Sequence, residues 1–310
     1  MSDWTTSSDP ALLRILATTT ATPDLGATER CYAEWLGYRT IERGWVDPSL
    51  ARSWGTPAAA GARFCTMVPR GESDVFVRLV ETPAVPGYRA LTTFGWNAFE
   101  IIVDDVPRLA EEIRSAPFEV IGAPRPLQFM PSIVAMQVVG PAGECLYFTM
   151  ESGDRETSIL PRPSGFVGRT FIVVAGGPDF DRMLRWYVDH FRLRERPVRQ
   201  SKVKVLQDAQ GLGPDETVSL SAIGMKQHGN LIELDGYPVG PDRIAGPRPR
   251  APGHLPPGNA MVSFEVADLT PFAAMAIIPP RPRPESAYGG RHACTLLGPA
   301  GELIELVEML

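Results

Sequence analysis

One pentapeptide is written twice in this 310-residue chain, and it constrains the fold more than any other feature. Gly140-Pro141-Ala142-Gly143-Glu144 runs into Cys145-Leu146-Tyr147-Phe148, and Gly298-Pro299-Ala300-Gly301-Glu302 runs into Leu303-Ile304-Glu305-Leu306. A tight Pro/Gly turn leading into an apolar run reads as the closing hairpin of a structural unit. The copies stand 158 residues apart, about half the chain, so the sequence reads as a tandem duplication. A second pair of segments agrees. Arg14 to Thr20 leads through Pro23-Asp24 into Leu25 to Tyr38, and Arg169 to Ala175 leads through Pro178-Asp179 into Phe180 to Leu193. At this offset of 155, Tyr32 falls on Tyr187 and Leu36 on Phe191. A β-branched run, a Pro-Asp start and apolar residues at helical spacing predict a strand–turn–helix in each half.

Read along the chain, the pattern predicts four units. The first has a strand at 12–20, a helix at 24–36, a strand at 38–44 and hairpin strands near 62–68 and 74–81. The second has a strand at 96–103, a helix at 105–114, a strand at 117–121 and a hairpin at 133–139 and 144–150. The third repeats the first at 167–175, 179–191, 193–197, 216–225 and 230–235. The fourth repeats the second at 259–266, a short helix at 270–276, then 276–278, 291–297 and 302–308. The fold class is therefore α+β, built from four βαβββ modules in two pairs. The expected domains are 1–154, holding modules 1 and 2, and 165–310, holding modules 3 and 4, with a linker at Arg155 to Ser164. The run Pro279-Pro280-Arg281-Pro282-Arg283-Pro284 is read as a stiff loop inside the fold.

Composition narrows the partners. A net charge of −6 and a pI near 5.4 argue against nucleic acid or an anionic membrane surface. No apolar stretch reaches the roughly 18 residues of a spanning helix. The start, Met1-Ser2-Asp3-Trp4, lacks a signal-peptide pattern. Cys31, Cys65, Cys145 and Cys294 stand singly, without zinc or redox spacing, which predicts a reduced, cytoplasmic setting. A small molecule is the expected partner, with a homodimer left open.

The four-module layout, with Val103-Asp104-Asp105-Val106 and Gly229-Asn230-Leu231-Ile232-Glu233-Leu234, resembles the vicinal-oxygen-chelate superfamily. That superfamily holds glyoxalase I, bleomycin- and fosfomycin-resistance proteins and extradiol dioxygenases. The resemblance implies that the modules pair into two curved-sheet, cup-like domains, with metal ligands on the first and last strands of the modules, facing into each cup. Those positions fall near Arg14, Ala98, Arg78 and Tyr147 in the first half, and near Arg169, Met261, Glu233 and Glu305 in the second. None is a histidine, and a guanidinium repels a cation, so the usual iron, manganese or zinc site is not expected. If a divalent metal binds, Glu305 with His228 and His292 would be its ligands, which is the extradiol-dioxygenase alternative.

Without a metal, the sequence points to acid–base chemistry in the C-terminal cup. Arg169 would pin one of Glu233 and Glu305 as an anion, and the other would act as general acid or base. Met261, Ser263 and Thr295 would line that cup. In the N-terminal cup, Arg14 and Arg78 would pair with Glu100, leaving Tyr147 as a hydrogen-bonding handle. The expected reaction is an isomerase, lyase or hydratase step on a small, oxygenated, largely apolar metabolite, aromatic or polyketide-like. A ligand-sequestering protein of the bleomycin-resistance kind is the non-enzymatic alternative.

Overall fold

The computed structural model describes residues 9–310, so the Met1-Ser2-Asp3-Trp4 start lies outside the described residues. Module 1 holds β1 (Leu12–Thr22), α1 (Leu25–Trp35), β2 (Arg39–Trp45), α2 (Pro48–Ser53), β3 (Arg63–Val68) and β4 (Phe76–Glu81). Module 2 holds β5 (Gly95–Val103), α3 (Val106–Glu112), β6 (Glu119–Pro126), β7 (Ile133–Val139) and β8 (Cys145–Glu151). Module 3 holds β9 (Val167–Gly177), α4 (Phe180–Phe191), β10 (Arg199–Ser201), α5 (Lys204–Gln210), β11 (Val218–Gly224) and β12 (Leu231–Gly236). Module 4 holds β13 (Gly258–Val266), the two-residue β14 (Arg281–Pro282), β15 (His292–Leu297) and β16 (Leu303–Glu308).

The Pro-Asp starts do what their chemistry demands. Asp24 accepts from the Ala27 amide at 2.9 Å to open α1, and Asp179 accepts from the Arg182 amide at 3.0 Å to open α4. In module 4 the expected helix shrinks to a 3-10 turn at Thr270–Phe272, and strand pairing waits until Arg281. The prolines at 279 and 280 have no N–H to give to a ladder. Their run is nevertheless inside the fold, where buried Arg283 donates to Ser49 Oγ at 2.9 Å. Two short helices, α2 and α5, lie where the pattern predicts only connecting chain.

The strands form two eight-stranded sheets with orders β14-β15-β16-β13-β1-β4-β3-β2 and β10-β11-β12-β9-β5-β8-β7-β6. Each is a curved half-barrel, and its centre is an antiparallel pair of first strands, β1 with β13 or β5 with β9. Module 1 therefore shares a sheet with module 4, and module 2 with module 3. The expected division into 1–154 and 165–310 does not describe the sheets. The reason is local: the chain leaves β8 at Glu151 and re-enters at Val167, folding β9 back along β5. Modules 1 and 4 are then left to pair with each other.

One large core lies between the sheets and helices, with Leu12, Trp96, Phe99, Tyr187, Phe191 and Phe264 among its members. Each concave face has its own smaller apolar cluster, lined by α2 in one sheet and α5 in the other. The repeated turns tie the two layers together. Glu302 accepts from the Ala300 amide at 2.8 Å and from the Tyr187 hydroxyl at 2.7 Å. Its counterpart Glu144 accepts from the Ala142 amide at 2.8 Å, with Tyr32 beside it. Burial pushes both carboxyls up to about 7. Among the described residues, no helix is long and apolar enough to cross a membrane.

Candidate functional site

The pairing of modules decides which side chains can meet. In the cup formed by modules 1 and 4, Glu305 on β16 sits opposite Ser263 on β13 and Thr295 on β15. Only 1% of Glu305 is exposed, and both of its oxygens are taken. Oε1 accepts from Trp54 Nε1 at 2.8 Å and the Tyr288 hydroxyl at 2.7 Å. Oε2 accepts from Ser263 Oγ at 2.5 Å and Arg78 Nη2 at 3.5 Å. The Arg78 guanidinium is held 5.1 Å from the Trp54 ring centre and 4.9 Å from that of Tyr288. Burial works against its charge, but Tyr288, Glu305 and Glu285 outweigh that and raise it above the ordinary arginine value. Met261 and Thr295 are fully enclosed beside this network. A guanidinium does neutralise Glu305, but it belongs to Arg78, and the cup is filled by the chain's own aromatics.

The cup formed by modules 2 and 3 differs at its centre. Glu100 on β5 stands in register with Tyr147 on β8 and Ile172 on β9. Glu233 on β12 stands in register with Val174 on β9 and Ala222 on β11. Thr149 Oγ1 donates to Glu100 Oε1 at 2.5 Å. Burial pushes Glu100 up to about 7, against the pull of that bond. Burial also holds Glu233 well above the carboxylate range, and the neighbouring charges of Asp235 and Glu100 add to it. Asp235, 2% exposed, is raised by burial and has no hydrogen-bond partner on Oδ1 among the described residues. No basic side chain is among the groups acting on these three carboxyls in the described residues.

This cup is not sealed. Gln137, Leu220, Ala222 and Glu233 keep part of their surface open, and on the floor Glu100 and Tyr147 each retain 8% exposure. Glu233 is thus reached by solvent while packed deeply enough for burial to dominate its ionisation. Gly122 makes room for the Gln137 amide, whose oxygen would lie 2.0 Å from a Cβ at that position. The opposite edges of the sheet approach each other at the mouth, with Arg199 over the exposed Phe129 ring at 5.1 Å.

The catalytic set read from the sequence is therefore divided. Glu305 and Glu233 lie in different cups. Arg169 sits half-buried on β9, near Arg14, Glu72 and Asp74, where burial lowers it from its ordinary value. Arg14 is at a rim, bonded to Asp74 at 2.6 Å and Glu265 at 2.8 Å, and does not pair with Glu100. Arg78 does not pair with Glu100 either, because modules 1 and 2 share no sheet. Glu100 and Tyr147 do stand together, as read, and Glu233 joins them. The residues missed are Trp54, Tyr288 and Asp235. The even spacing of Asp235 from Glu233 on one strand was the signal for Asp235, and neither aromatic carries a comparable signal.

Solved structures share this architecture. Glyoxalase I from Zea mays superposes with a TM-score of 0.60 at 18% identity, over 95% of this chain and 92% of that one. A Bacillus subtilis protein named as a dioxygenase superposes with a TM-score of 0.63 at 10% identity, over 97% of this chain and 86% of that one. The chain thus has the fold of these glyoxalase and dioxygenase structures. No family model matches the sequence, and no curated protein matches it. The divalent metal that the superfamily resemblance implies does not fit the residues present. His228 is exposed in the turn after β11, and His292 is exposed with Nδ1 3.8 Å from Glu308, so neither joins Glu305. Among the described residues, no three His, Cys, Asp or Glu side chains gather as metal ligands.

Proposed function

We propose that the cup of modules 2 and 3 is the active site of an enzyme moving a proton on a small, oxygenated, largely apolar molecule. The reaction class is isomerase, lyase or hydratase, carried by Glu100 and Glu233. The observation that supports this is that these two glutamates share one concave surface, close enough for Glu100 to act on Glu233, with both biased toward the protonated form. A carboxyl that changes protonation near neutrality serves equally as acid and base, unlike an ordinary surface glutamate. Glu100, oriented by Thr149, takes or returns the proton at its free oxygen. Tyr147, beside it, donates from its hydroxyl to a substrate carbonyl or hydroxyl. The apolar walls, Ile172, Leu231 and Val205, exclude water from the reacting atoms. Four buried, unpaired cysteines suit a reducing, cytoplasmic setting for this reaction.

A panel of small oxygenated metabolites, screened by thermal shift, supplies the substrate, and solvent deuterium incorporation reports proton transfer. Glu100→Gln keeps shape and hydrogen bonding while removing the titration, and is expected to cut turnover by roughly 10²–10⁴-fold. Turnover that survives in both Glu100→Gln and Glu233→Gln refutes the reading. Tight binding with no turnover of any bound compound makes the cup a sequestering site instead. Stoichiometric iron, manganese or zinc in the purified protein, with turnover lost on chelation, favours a metal-dependent oxygenase.

A further inference from the structure

The charge of the open cup suggests what kind of molecule fills it, and this inference rests on the same site as the proposed reaction. Three carboxyl groups, on Glu100, Glu233 and Asp235, line a concave surface, and among the described residues no lysine or arginine bonds them. In this cup the half-buried Arg248 reaches only the Tyr237 hydroxyl with its charge, and it is itself bonded to the Trp96 and Asn259 carbonyls. The neighbouring cup shows how the same fold satisfies a buried glutamate from within the chain: Arg78 and three neutral donors hold Glu305. In the open cup no cation among the described residues is bonded to a carboxyl in the way Arg78 is bonded to Glu305. A second observation comes from a group that is not acidic. The Tyr237 hydroxyl, in a residue 2% exposed and next to Asp235, has no hydrogen-bond partner among the described residues. A buried hydroxyl without a partner costs about 1–3 kcal/mol, so leaving it and Asp235 Oδ1 both unsatisfied is expensive unless something else meets them. Gly176 packs flat under the Tyr237 ring, where a Cβ would come within 2.3 Å, so this tyrosine is built into its place.

We propose that the cup of modules 2 and 3 binds an apolar organic cation, a protonated amine on a hydrocarbon or aromatic body, whose ammonium pairs with Glu233 and Asp235. The ligand then supplies the positive charge that Arg78 supplies in the other cup. On binding, a proton held by the Glu233–Asp235 pair leaves to solvent, and the ammonium takes its place with its own three protons unchanged. Glu100 stays free for the acid–base step. Phe129, Leu127 and Met130 at the exposed lip, with Val198 across from them, meet the apolar body. Anionic ligands are disfavoured, because a carboxylate would enter a poorly solvated space lined by acidic groups with no cation bonded there to pair with it.

The test uses three molecules of one shape on the full-length protein: 2-phenylethylamine, 2-phenylethanol and phenylacetate, titrated calorimetrically at pH 6 and pH 8 in buffers of different ionisation enthalpy. The amine is expected to bind at least about tenfold tighter than the alcohol at pH 8, more tightly at pH 8 than at pH 6, and with proton release. Phenylacetate is expected not to bind. Glu233→Gln and Asp235→Asn remove the charge while keeping the shape, and their melting temperatures confirm folding. At least one of them is expected to bring the amine to the level of the alcohol. Equal binding of amine and alcohol, tighter binding of phenylacetate, binding of none of the three, or an amine preference untouched by both variants overturns the proposal. Proton transfer by Glu100 is judged separately, by turnover of Glu100→Gln, so an amine that binds while that turnover persists counts against the reaction and not against the cation site.

Discussion

The two cups are built from the same parts and have opposite fates. In each, a short helix follows the second strand of the odd-numbered module, and a loop precedes the last hairpin of the even-numbered one. In the cup of modules 1 and 4, α2 ends on Trp54, which reaches Glu305, and the loop of module 4 turns Tyr288 inward to the same carboxylate. In the cup of modules 2 and 3, α5 ends on Gly211, whose left-handed φ of 64° suits glycine and brings no side chain. The loop of module 2 there carries Phe129 at the surface, 56% exposed. Two aromatic side chains thus answer the central glutamate of one cup and have no counterpart in the other. An acidic residue at the cup's centre means nothing functional by itself; what matters is whether the chain has already answered its charge.

The sharpest way to break this contrast is Glu305→Ala. It strands Arg78 in a dry interior and leaves the Trp54, Tyr288 and Ser263 donors without their acceptor. The expected loss is about 3–5 kcal/mol of unfolding free energy, measured by chemical denaturation. A loss below about 1 kcal/mol means the plug is not held by this network. Tyr288→Phe is the milder version, removing one of four donors to a charged acceptor, with an expected cost of about 1.5–3 kcal/mol. The matching change in the open cup, Tyr147→Phe, removes a hydroxyl with no hydrogen-bond partner among the described residues and is expected to alter stability by less than about 0.5 kcal/mol. Equal costs at the two tyrosines erase the distinction.

Titration separates the cups further. Glu100 is raised to about 7 in the folded protein, against 4.5 as its ordinary value. Between those values the native state binds more protons than the unfolded chain, so stability falls as pH rises through this window and levels off above about 7. One such group contributes a slope of at most about 1.4 kcal/mol per pH unit. The turn residues Glu144 and Glu302 are raised in the same direction and add to it. Denaturation curves at pH 5 and pH 7.5 are expected to show the higher stability at pH 5, with Glu100→Gln flattening part of the difference. A wild type more stable at pH 7.5, or a variant with the full slope, contradicts the charge state assigned to this cup.

The same contrast explains what could be read from the sequence. The Pro-Asp caps, the strand words and the repeated turn are local signals, each fixed within a few residues, and they located the modules. Glu100 with Tyr147 was legible because strand alternation fixes which side chains share a face. Which modules join was not legible, because the β1–β13 pairing brings together residues about 250 positions apart and leaves no periodic trace in either strand. That single error sent Glu233 and Glu305 into one imagined cup and assigned Arg169 the role that Arg78 fills. Trp54 and Tyr288 were equally hidden. Trp54 follows a helix of six residues, too short to show a period, and Tyr288 lies in an irregular Pro-rich loop.

The smallest expected effect tests the lip. Phe129 and Tyr288 come from counterpart loops, one turned out over the mouth and the other turned in as a plug. Phe129 touches Arg199 but is mostly bathed in solvent, so Phe129→Ala is expected to change stability by no more than about 0.5 kcal/mol. An exposed phenylalanine contributes little to folding, yet it offers apolar area to a bound molecule. Its removal should therefore appear in ligand affinity, weakening the amine by about two- to tenfold if roughly 1 kcal/mol of apolar contact is lost. Arg199→Ala frees the ring without shrinking it, and is expected to leave affinity closer to wild type. If Phe129→Ala lowers stability as much as Tyr288→Phe and leaves affinity alone, the loop of module 2 is a structural plug like its counterpart, and the two cups differ less than their charges suggest.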